Sequence, residues 1–179
     1  MQMGVAGTNH LDLINNRLQK DTMELIRNID NLSNEQAKIF HDFENGRIDT
    51  FKVEIKPNGG YYHGGTFLFK IILDEKYPFN VPSVICLTKL YHPNINCLPF
   101  YDDNDEDNVC VSVLEEWQPL ATLEDLVQGI LYLFYQPNLD DILSPIVSCE
   151  PKEDFAAKVK RSLLGGEVEG AVFERNFWT

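Results

Sequence analysis

The chain has 179 residues, 44% of them hydrophobic, and a formal net charge of −13, which together indicate one globular domain with a substantial core. Nucleic-acid affinity rests on clustered Lys and Arg, so this acidic balance argues against nucleic acid as a partner. No apolar run approaches the roughly 18 residues of a membrane span, and we expect no membrane partner. Four widely spaced cysteines without a secretory signal favour a reduced cytosolic or nuclear setting.

The first half of the chain predicts a helix followed by strands. Apolar residues recur three, four or seven positions apart from Leu11 to Ile26, with Asn9 as a candidate N-cap, which is typical of an amphipathic helix. Alternation of apolar and polar residues predicts four strands, over residues 38–43, 51–55, 61–73 and 83–87. The turn at 57–60 contains Asn-Gly, which supplies the positive φ of a tight hairpin. Four strands joined by short turns indicate an antiparallel meander.

The second half predicts helices. Thr122, with Asp125 three residues later, resembles a capping box and begins an amphipathic helix that Pro137 ends. A later helix over residues 152–164 stops at two glycines. The order of elements predicts an α+β fold with an N-terminal helix, a four-stranded antiparallel meander, a long loop and then C-terminal helices.

The long loop between the last strand and the Thr122 helix is the candidate site, because loops of this length are usually functional. It contains His92, Asn94, Cys110 and an acidic run over residues 102–107. A thiol is the best side-chain nucleophile near neutral pH. Carboxylates near Cys110 are expected to raise its pKa and to attract a cationic lysine. That combination favours an enzyme that passes an acyl group to an amine.

Five short segments, in this order, resemble the ubiquitin-conjugating enzyme family: Tyr77-Pro78-Phe79 with Pro82, His92-Pro93-Asn94, Asn108-Val109-Cys110, Trp117-Gln118-Pro119 and Pro137-Asn138-Leu139-Asp140-Asp141. Segments at 132–134, 161–166 and 173–175 are similar to the branch of that family that attaches the neddylation modifier to cullins. The resemblance implies the ubiquitin-conjugating enzyme fold. It divides the chain into a short N-terminal tail (1–8), a catalytic domain (9–166) and a C-terminal tail (167–179).

The resemblance also implies a mechanism. Cys110 is expected to accept the C-terminus of a ubiquitin-like protein as a thioester and to pass it to a substrate lysine. Asn94 is expected to donate its side-chain amide toward the developing oxyanion or to brace the surrounding loop, and Asp141 to orient the lysine and help keep it neutral. His92 and Pro93 are expected to brace the loop. His92 is expected to do so by hydrogen bonding rather than to act as a base. No metal or cofactor is needed, since ATP is consumed upstream.

Partner surfaces follow from the same resemblance. Arg17 and Lys20 match the helix face that the family presents to a heterodimeric activating enzyme. Phe79, Pro119 and Leu120 match loop tips that meet RING-type ligases, and a core position is the alternative for Phe79. The expected cargo is the neddylation modifier, the expected substrate is a lysine on a cullin, and the expected location is the cytoplasm and the nucleus.

The chain departs from the family pattern in four places. The interval from Asn94 to Cys110 is about twice the usual one, so an acidic insertion precedes the nucleophile. Asp107 stands where a glycine usually precedes the Asn-Val-Cys turn, and the stretch from Cys110 to Trp117 is one residue short. Few residues precede the first helix. An insertion that disables Cys110 would leave a modifier-binding scaffold, which is one alternative to an active enzyme.

Other interpretations use the same residues. Ubiquitin itself is the alternative cargo. A cysteine hydrolase with Cys110 and His92 is disfavoured by the acidic surroundings. A zinc site from His92, Cys97 and Cys110 lacks any Cys-x-x-Cys pair. Cys97 and Cys110 are a candidate redox pair by proximity in sequence, and Cys86, on a strand, is expected to be a buried hydrophobe.

Overall fold

The computed structural model describes residues 10–40, 48–97, 107–148 and 152–177. In chain order the elements are α1 (His10–Ser33), β1 (Ala37–Phe40), β2 (Thr50–Ile55), β3 (Phe67–Ile72), β4 (Ser83–Cys86), α2 (Ser112–Glu115), α3 (Leu123–Tyr135), α4 (Lys152–Leu163), β5 (Glu167–Val168) and β6 (Ala171–Val172). The predicted α+β fold is confirmed: an N-terminal helix, a four-stranded antiparallel sheet and later helices. Among the described residues, no helix is both long and apolar enough to cross a membrane.

Helix α1 buries one apolar stripe. Leu18, Leu25 and Ile29, seven and four residues apart, are buried against α3 and β1. The helix continues beyond the predicted apolar pattern to Ser33, whose Oγ donates to the Ile29 carbonyl at 2.6 Å and accepts from the Ala37 N–H at 2.9 Å. This hydroxyl therefore joins the end of α1 to the start of β1. The predicted N-cap, Asn9, lies outside the described residues.

The sheet has the predicted order, β1-β2-β3-β4, with every neighbouring pair antiparallel. Alternate residues of the two central strands form the core: Phe51, Val53, Ile55, Phe67, Phe69 and Ile71. Strand β1 ends at Phe40, and the remainder of the strand predicted over 38–43 lies outside the described residues. The alternation in the sequence therefore indicated the buried face correctly.

The connection between β2 and β3 differs from the prediction of a tight hairpin. Strand β3 begins at Phe67, whereas the sequence predicts strand from residue 61. The positive φ falls on Gly60, at +72°, and residues 61–64 form a turn. Tyr62 is fully buried there and donates its hydroxyl hydrogen bond to the Tyr91 carbonyl at 2.9 Å. The aromatic run looked strand-like because it is apolar, but its burial comes from a loop that folds into the core.

Helix α3 begins and ends where the sequence predicts. Thr122 Oγ1 accepts from the Asp125 N–H at 3.1 Å, and Asp125 Oδ2 accepts from the Thr122 N–H at 2.9 Å, so the capping box is confirmed. The helix ends at Tyr135, just before Pro137. Helix α4 ends at Leu163, and Gly165 adopts a φ of +82°, in agreement with the predicted glycine stop.

Residues 167–177, which the sequence assigns to a C-terminal tail, are folded into the domain. Strands β5 and β6 pair as a short hairpin, and Val168, Ala171 and Phe173 are buried in the main core. Asn176 closes the contact, because its amide nitrogen donates to the Thr66 carbonyl at 2.7 Å and its Oδ1 accepts from the Thr66 N–H at 3.2 Å. A domain boundary at residue 166 is therefore wrong for these residues. Strands of two residues are too short for any periodicity to reveal.

Candidate active site

Cys110 lies at the end of a small antiparallel ladder. Ile95 and Val109 form an isolated bridge, the Cys110 N–H donates to the Asn94 carbonyl at 2.9 Å, and the Asn96 N–H donates to the Asn108 carbonyl at 2.8 Å. These bonds join the two segments that flank the acidic insertion, whose residues 102–106 lie outside the described residues. The backbone position of Cys110 is therefore set by the flanks of the insertion.

The residues just before Cys110 are bonded to the edge strand β4. The Asn108 side chain accepts from the Cys86 N–H at 2.7 Å and donates to the Cys86 carbonyl at 3.1 Å. Asp107 accepts from the Val84 N–H at 2.9 Å and from the Ser83 hydroxyl. These side chains thus form hydrogen bonds with backbone groups of β4 that would otherwise be able to pair with a further strand. Asp107, a departure from the family pattern, contributes a second anchor here.

His92 is buried and both of its ring nitrogens are bonded. Nδ1 accepts from the Asn94 N–H at 3.0 Å, so Nε2 carries the proton and donates to the Leu133 carbonyl at 3.1 Å. Burial lowers the pKa of His92 to about 3, although the Leu133 carbonyl acts in the opposite direction. A neutral imidazole without a free lone pair fits a structural brace. It fits neither a zinc ligand nor the base of a cysteine hydrolase.

Asn94 links the loop of His92 to the segment that carries Asp141. Its side chain is 2% exposed, its amide nitrogen donates to the carbonyls of Asn138 (3.0 Å) and Asp141 (2.9 Å), and its Oδ1 accepts from the Asn138 N–H at 2.8 Å. The Pro93 carbonyl accepts from two further N–H groups of that segment. Both amide hydrogens are occupied, so this geometry fits the bracing role better than the oxyanion role.

The Cys110 thiol lies among carboxylates. Its Sγ donates to Glu115 Oε1 at 3.0 Å, and Sγ and carboxylate oxygens of Glu115 and Asp141 all lie within 4.8 Å of one another. Partial burial, followed by Glu115 and Asp141, raises the pKa of Cys110 to about 11. The predicted direction is therefore correct, and among the described residues the carboxylates responsible are those of Glu115 and Asp141. The same three atoms are close enough to share a cation.

Glu115 is the site residue that the sequence did not reveal. It ends the single turn of α2, five residues after Cys110, and no motif distinguished it from the neighbouring acidic Glu116. The position of α2 depends on Gly129 of α3, because a Cβ there would lie 3.0 Å from Val113 Cγ1. A glycine in the middle of a predicted helix was the available signal that another element approaches closely.

Residues 17–162 match the family model described as ubiquitin-conjugating enzyme. The chain belongs to the ubiquitin-conjugating enzyme family. It is 36% identical over 165 residues to the NEDD8-conjugating enzyme Ubc12 of Arabidopsis thaliana, which spans 89% of this chain and 81% of that protein. The Schizosaccharomyces pombe protein of the same name is 36% identical over 132 residues, 72% of this chain and 70% of that one. The solved structure of S. cerevisiae Ubc12 superimposes with a TM-score of 0.76 at 27% identity, covering 96% and 89% of the two chains.

Arg17 and Lys20, the two α1 residues that the sequence predicts to meet an activating enzyme, differ in their contacts within this conjugating enzyme. Lys20 is exposed and lies 3.9 Å from Glu24. Arg17 pairs with the buried Asp21 at 2.7 Å and donates to the carbonyls of Pro119 (3.2 Å) and Ala121 (3.1 Å). Lys20 is thus open to a partner, whereas the Arg17 guanidinium already holds the loop that precedes α3.

The predicted ligase-facing residues of the conjugating enzyme are exposed and lie on connected loops. Phe79 is 59% exposed and Leu120 is 87% exposed, and Pro119 is exposed beside Leu120. The core alternative for Phe79 is therefore wrong. Trp117 Nε1 donates to the Pro78 carbonyl at 2.9 Å, which ties the loop of Phe79 to the loop of Leu120.

Cys97 lies beside Cys86. Both sulfurs lie within hydrogen-bond distance of the Thr88 carbonyl, at 3.4 Å and 3.3 Å, and within hydrogen-bond reach of each other, so the two thiols share these contacts. Burial is the main reason that the pKa of Cys86 is raised. The candidate redox pair of Cys97 with Cys110 is therefore not supported, because Cys97 is buried beside Cys86 and Thr88. Cys86 is fully buried, as the sequence predicts.

Proposed function

We propose that this chain carries a ubiquitin-like modifier of the NEDD8 type as a thioester on Cys110 and transfers it to a substrate lysine. The observation that carries the proposal is a partly exposed Cys110 thiol with the Asp141 carboxylate beside it, on a backbone whose Cys110 N–H donates to the Asn94 carbonyl. The names of the relatives support NEDD8 as the type of cargo. Membership of the conjugating family supports the thioester chemistry.

Charging is an exchange between two thioesters. Cys110 Sγ attacks the carbonyl carbon that joins the modifier to the cysteine of the activating enzyme. A new sulfur–carbon bond forms, the old one breaks, and the proton of the Cys110 thiol passes, directly or through solvent, to the departing cysteine sulfur of the activating enzyme. A thiol with a pKa of about 11 is almost entirely protonated near pH 7, so its proton must be removed for the attack to occur. The free enzyme is then slow to react with small electrophiles.

Transfer is the attack of a lysine amine on the thioester carbonyl. Asp141 is exposed beside the sulfur, and its carboxylate attracts and orients the amine. The backbone that carries Asp141 is bonded to the Asn94 side chain and follows the turn at residues 138–140. Asn94 therefore acts on transfer by holding Asp141 in position, while Pro93 and His92 fix the other side of the same loop.

The proposed partners follow from exposed surfaces. Lys20 on α1 is available to a heterodimeric activating enzyme, and its charge suits an acidic contact. The surface of Phe79, Pro119 and Leu120 is apolar and exposed, which suits a RING-type ligase that presents a cullin lysine. These partners are proposed to be met in the cytoplasm and the nucleus.

The test is a charging assay with ATP and the purified activating enzyme for NEDD8 or for ubiquitin, read on non-reducing gels. We expect a reducible adduct with NEDD8. Cys110→Ala should abolish the adduct, and Cys110→Ser should replace it with an ester that survives reduction, while both variants keep the wild-type melting temperature. An adduct with ubiquitin alone would identify ubiquitin, rather than NEDD8, as the cargo. No adduct with either modifier, from folded protein, would favour the modifier-binding scaffold.

A further inference from the structure

The local structure holds the backbone of Glu115 close to Cys110, so the proximity of the two side chains does not depend on the Glu115 rotamer alone. Its N–H donates to the Val111 carbonyl at 3.3 Å, within the turn that starts directly after Cys110. Val111 and Val113 of that turn contact the position where a Gly129 Cβ would lie, at 3.3 Å and 3.0 Å. Because α3 fixes α2 in this way, the Glu115 carboxylate stays within reach of Cys110 Sγ.

Charging changes what Glu115 can bond. In the free enzyme the Cys110 thiol donates to Glu115 Oε1 at 3.0 Å. A thioester sulfur has no hydrogen, so the carboxylate loses this donor when the modifier is attached. The oxygen then lies next to the sulfur of the reactive carbonyl, where the approaching amine must pass. A charged acceptor without a donor, close to a second carboxylate on Asp141, is a site for a cation that can donate hydrogen bonds.

We propose that Glu115 is a catalytic residue that binds the acceptor lysine in the charged enzyme, its hydrogen bond passing from the Cys110 thiol to the lysine amine. This role rests on the proposed function and adds a residue to it. Glu115 and Asp141 then hold the amine from two elements, α2 and the segment after α3. Recognition of lysine is coupled to the charged state, because the thiol occupies Glu115 whenever the modifier is absent.

The atoms of the step balance without a further reactant. The lysine arrives as an ammonium ion and loses two protons in all. One passes through the Glu115 carboxylate to solvent, which leaves a neutral amine to attack the carbonyl carbon. The nitrogen–carbon bond forms, the carbon–sulfur bond breaks, and the second amine proton goes to the departing Cys110 sulfur. The thiol is then restored and donates to Glu115 again.

The test separates lysine binding from thioester reactivity. Wild type, Glu115→Gln, Glu115→Asp and Glu116→Gln are charged, charging is stopped, and loss of the thioester is followed with increasing free lysine at pH 7. We expect Glu115→Gln to be slowed about tenfold at low lysine and to need more lysine for half-maximal rate. Glu115→Asp should lie between the two. Glu116→Gln is the matched control, because it removes the same charge from the adjacent exposed residue, and it should behave as wild type.

Discharge by hydroxylamine, which is uncharged near neutral pH, is measured on the same thioesters. It should differ by less than about twofold between Glu115→Gln and wild type, because a neutral nucleophile gains little from a carboxylate. An equal loss with lysine and hydroxylamine would overturn the proposal in favour of a general structural effect. Unchanged lysine discharge would overturn it as well, and so would failure of Glu115→Gln to be charged at all.

A measurement on the free enzyme keeps the inference separate from the proposed function. Iodoacetamide alkylation of Cys110 should be faster in Glu115→Gln than in wild type at pH 8, since removing the carboxylate lowers the thiol pKa. Identical alkylation would show that the thiol does not bond Glu115, which overturns the inference whatever the modifier. Absence of charging in wild type, with faster alkylation in the variant, would instead refute the proposed thioester function and with it the transfer step.

Discussion

The two sides of Cys110 are built in different ways. On one side, His92 and Asn94 are buried and neutral, and every polar atom of their side chains is hydrogen-bonded. On the other, Glu115 and Asp141 are exposed carboxylates that lie beside a protonated thiol. The buried side determines where the loops lie, and the exposed side determines how the sulfur and an approaching amine behave. Changes on the buried side should therefore cost stability and activity together, and changes on the exposed side should cost activity alone.

The largest effect on stability and activity is expected from Asn94→Ala, a change on the buried side of Cys110. It removes three hydrogen bonds and leaves the partly buried amide-binding carbonyls of Asn138 and Asp141 without this donor, so we expect a loss of about 3 kcal/mol in the free energy of unfolding. Lysine discharge should fall together with it, because Asp141 loses its support. Urea unfolding and single-turnover discharge measure the two quantities. Loss of discharge at unchanged stability would favour the oxyanion role of Asn94 instead.

A smaller effect is expected from pH. The pKa of His92 is depressed in the folded protein, so the unfolded chain binds this proton first, and stability is full above pH 6.5 and falls as the pH drops toward about 3. Lowering the pH from 7 to 5 should cost about 2 kcal/mol in the free energy of unfolding through this residue.

His92→Gln should flatten that pH dependence, although the variant starts from a lower stability at pH 7. His63→Gln removes an exposed histidine and serves as the matched control, with the wild-type slope retained. Urea unfolding at several pH values between 5 and 7 gives the slopes. The same slope in His92→Gln as in wild type would mean that the buried imidazole is not the group that resists protonation.

The smallest effects are expected from substitutions in α1, where Arg17 is bonded within the domain and Lys20 is exposed. Arg17→Ala leaves the buried Asp21 carboxylate without its ion pair and two carbonyls without a donor, so we expect a loss of about 1–2 kcal/mol in stability. Lys20→Ala should change stability by less than about 0.5 kcal/mol and weaken only the proposed contact with the activating enzyme. Thermal unfolding and the activating-enzyme concentration for half-maximal charging separate the two. Equal stability of both variants would contradict the assignment of Arg17 to the loop.

Much of the fold was predictable because its signals are local. Helix periodicity, the Thr122 capping box, the proline after α3 and the alternation of β2 and β3 depend on neighbours within a few residues. The connection before β3 was misassigned because burial of Tyr62 depends on the distant Tyr91 carbonyl. The C-terminal hairpin was missed for the same reason, since Phe173 and Asn176 are ordered by contacts with residues far away in the chain.

For the site, the sequence alone indicated the family and predicted Cys110 as the nucleophile and residues 92–94 as a brace, because those residues form short motifs in a recognisable order. Only the tertiary structure decided which groups surround the thiol, that Arg17 holds a loop, and that Cys97 lies beside Cys86. The reason is physical: a hydrogen bond or a pKa depends on the distance between side chains from separate elements. Glu115 and Glu116 are the same residue type and are adjacent in sequence. The position of α2 against Gly129 brings Glu115 to the Cys110 sulfur.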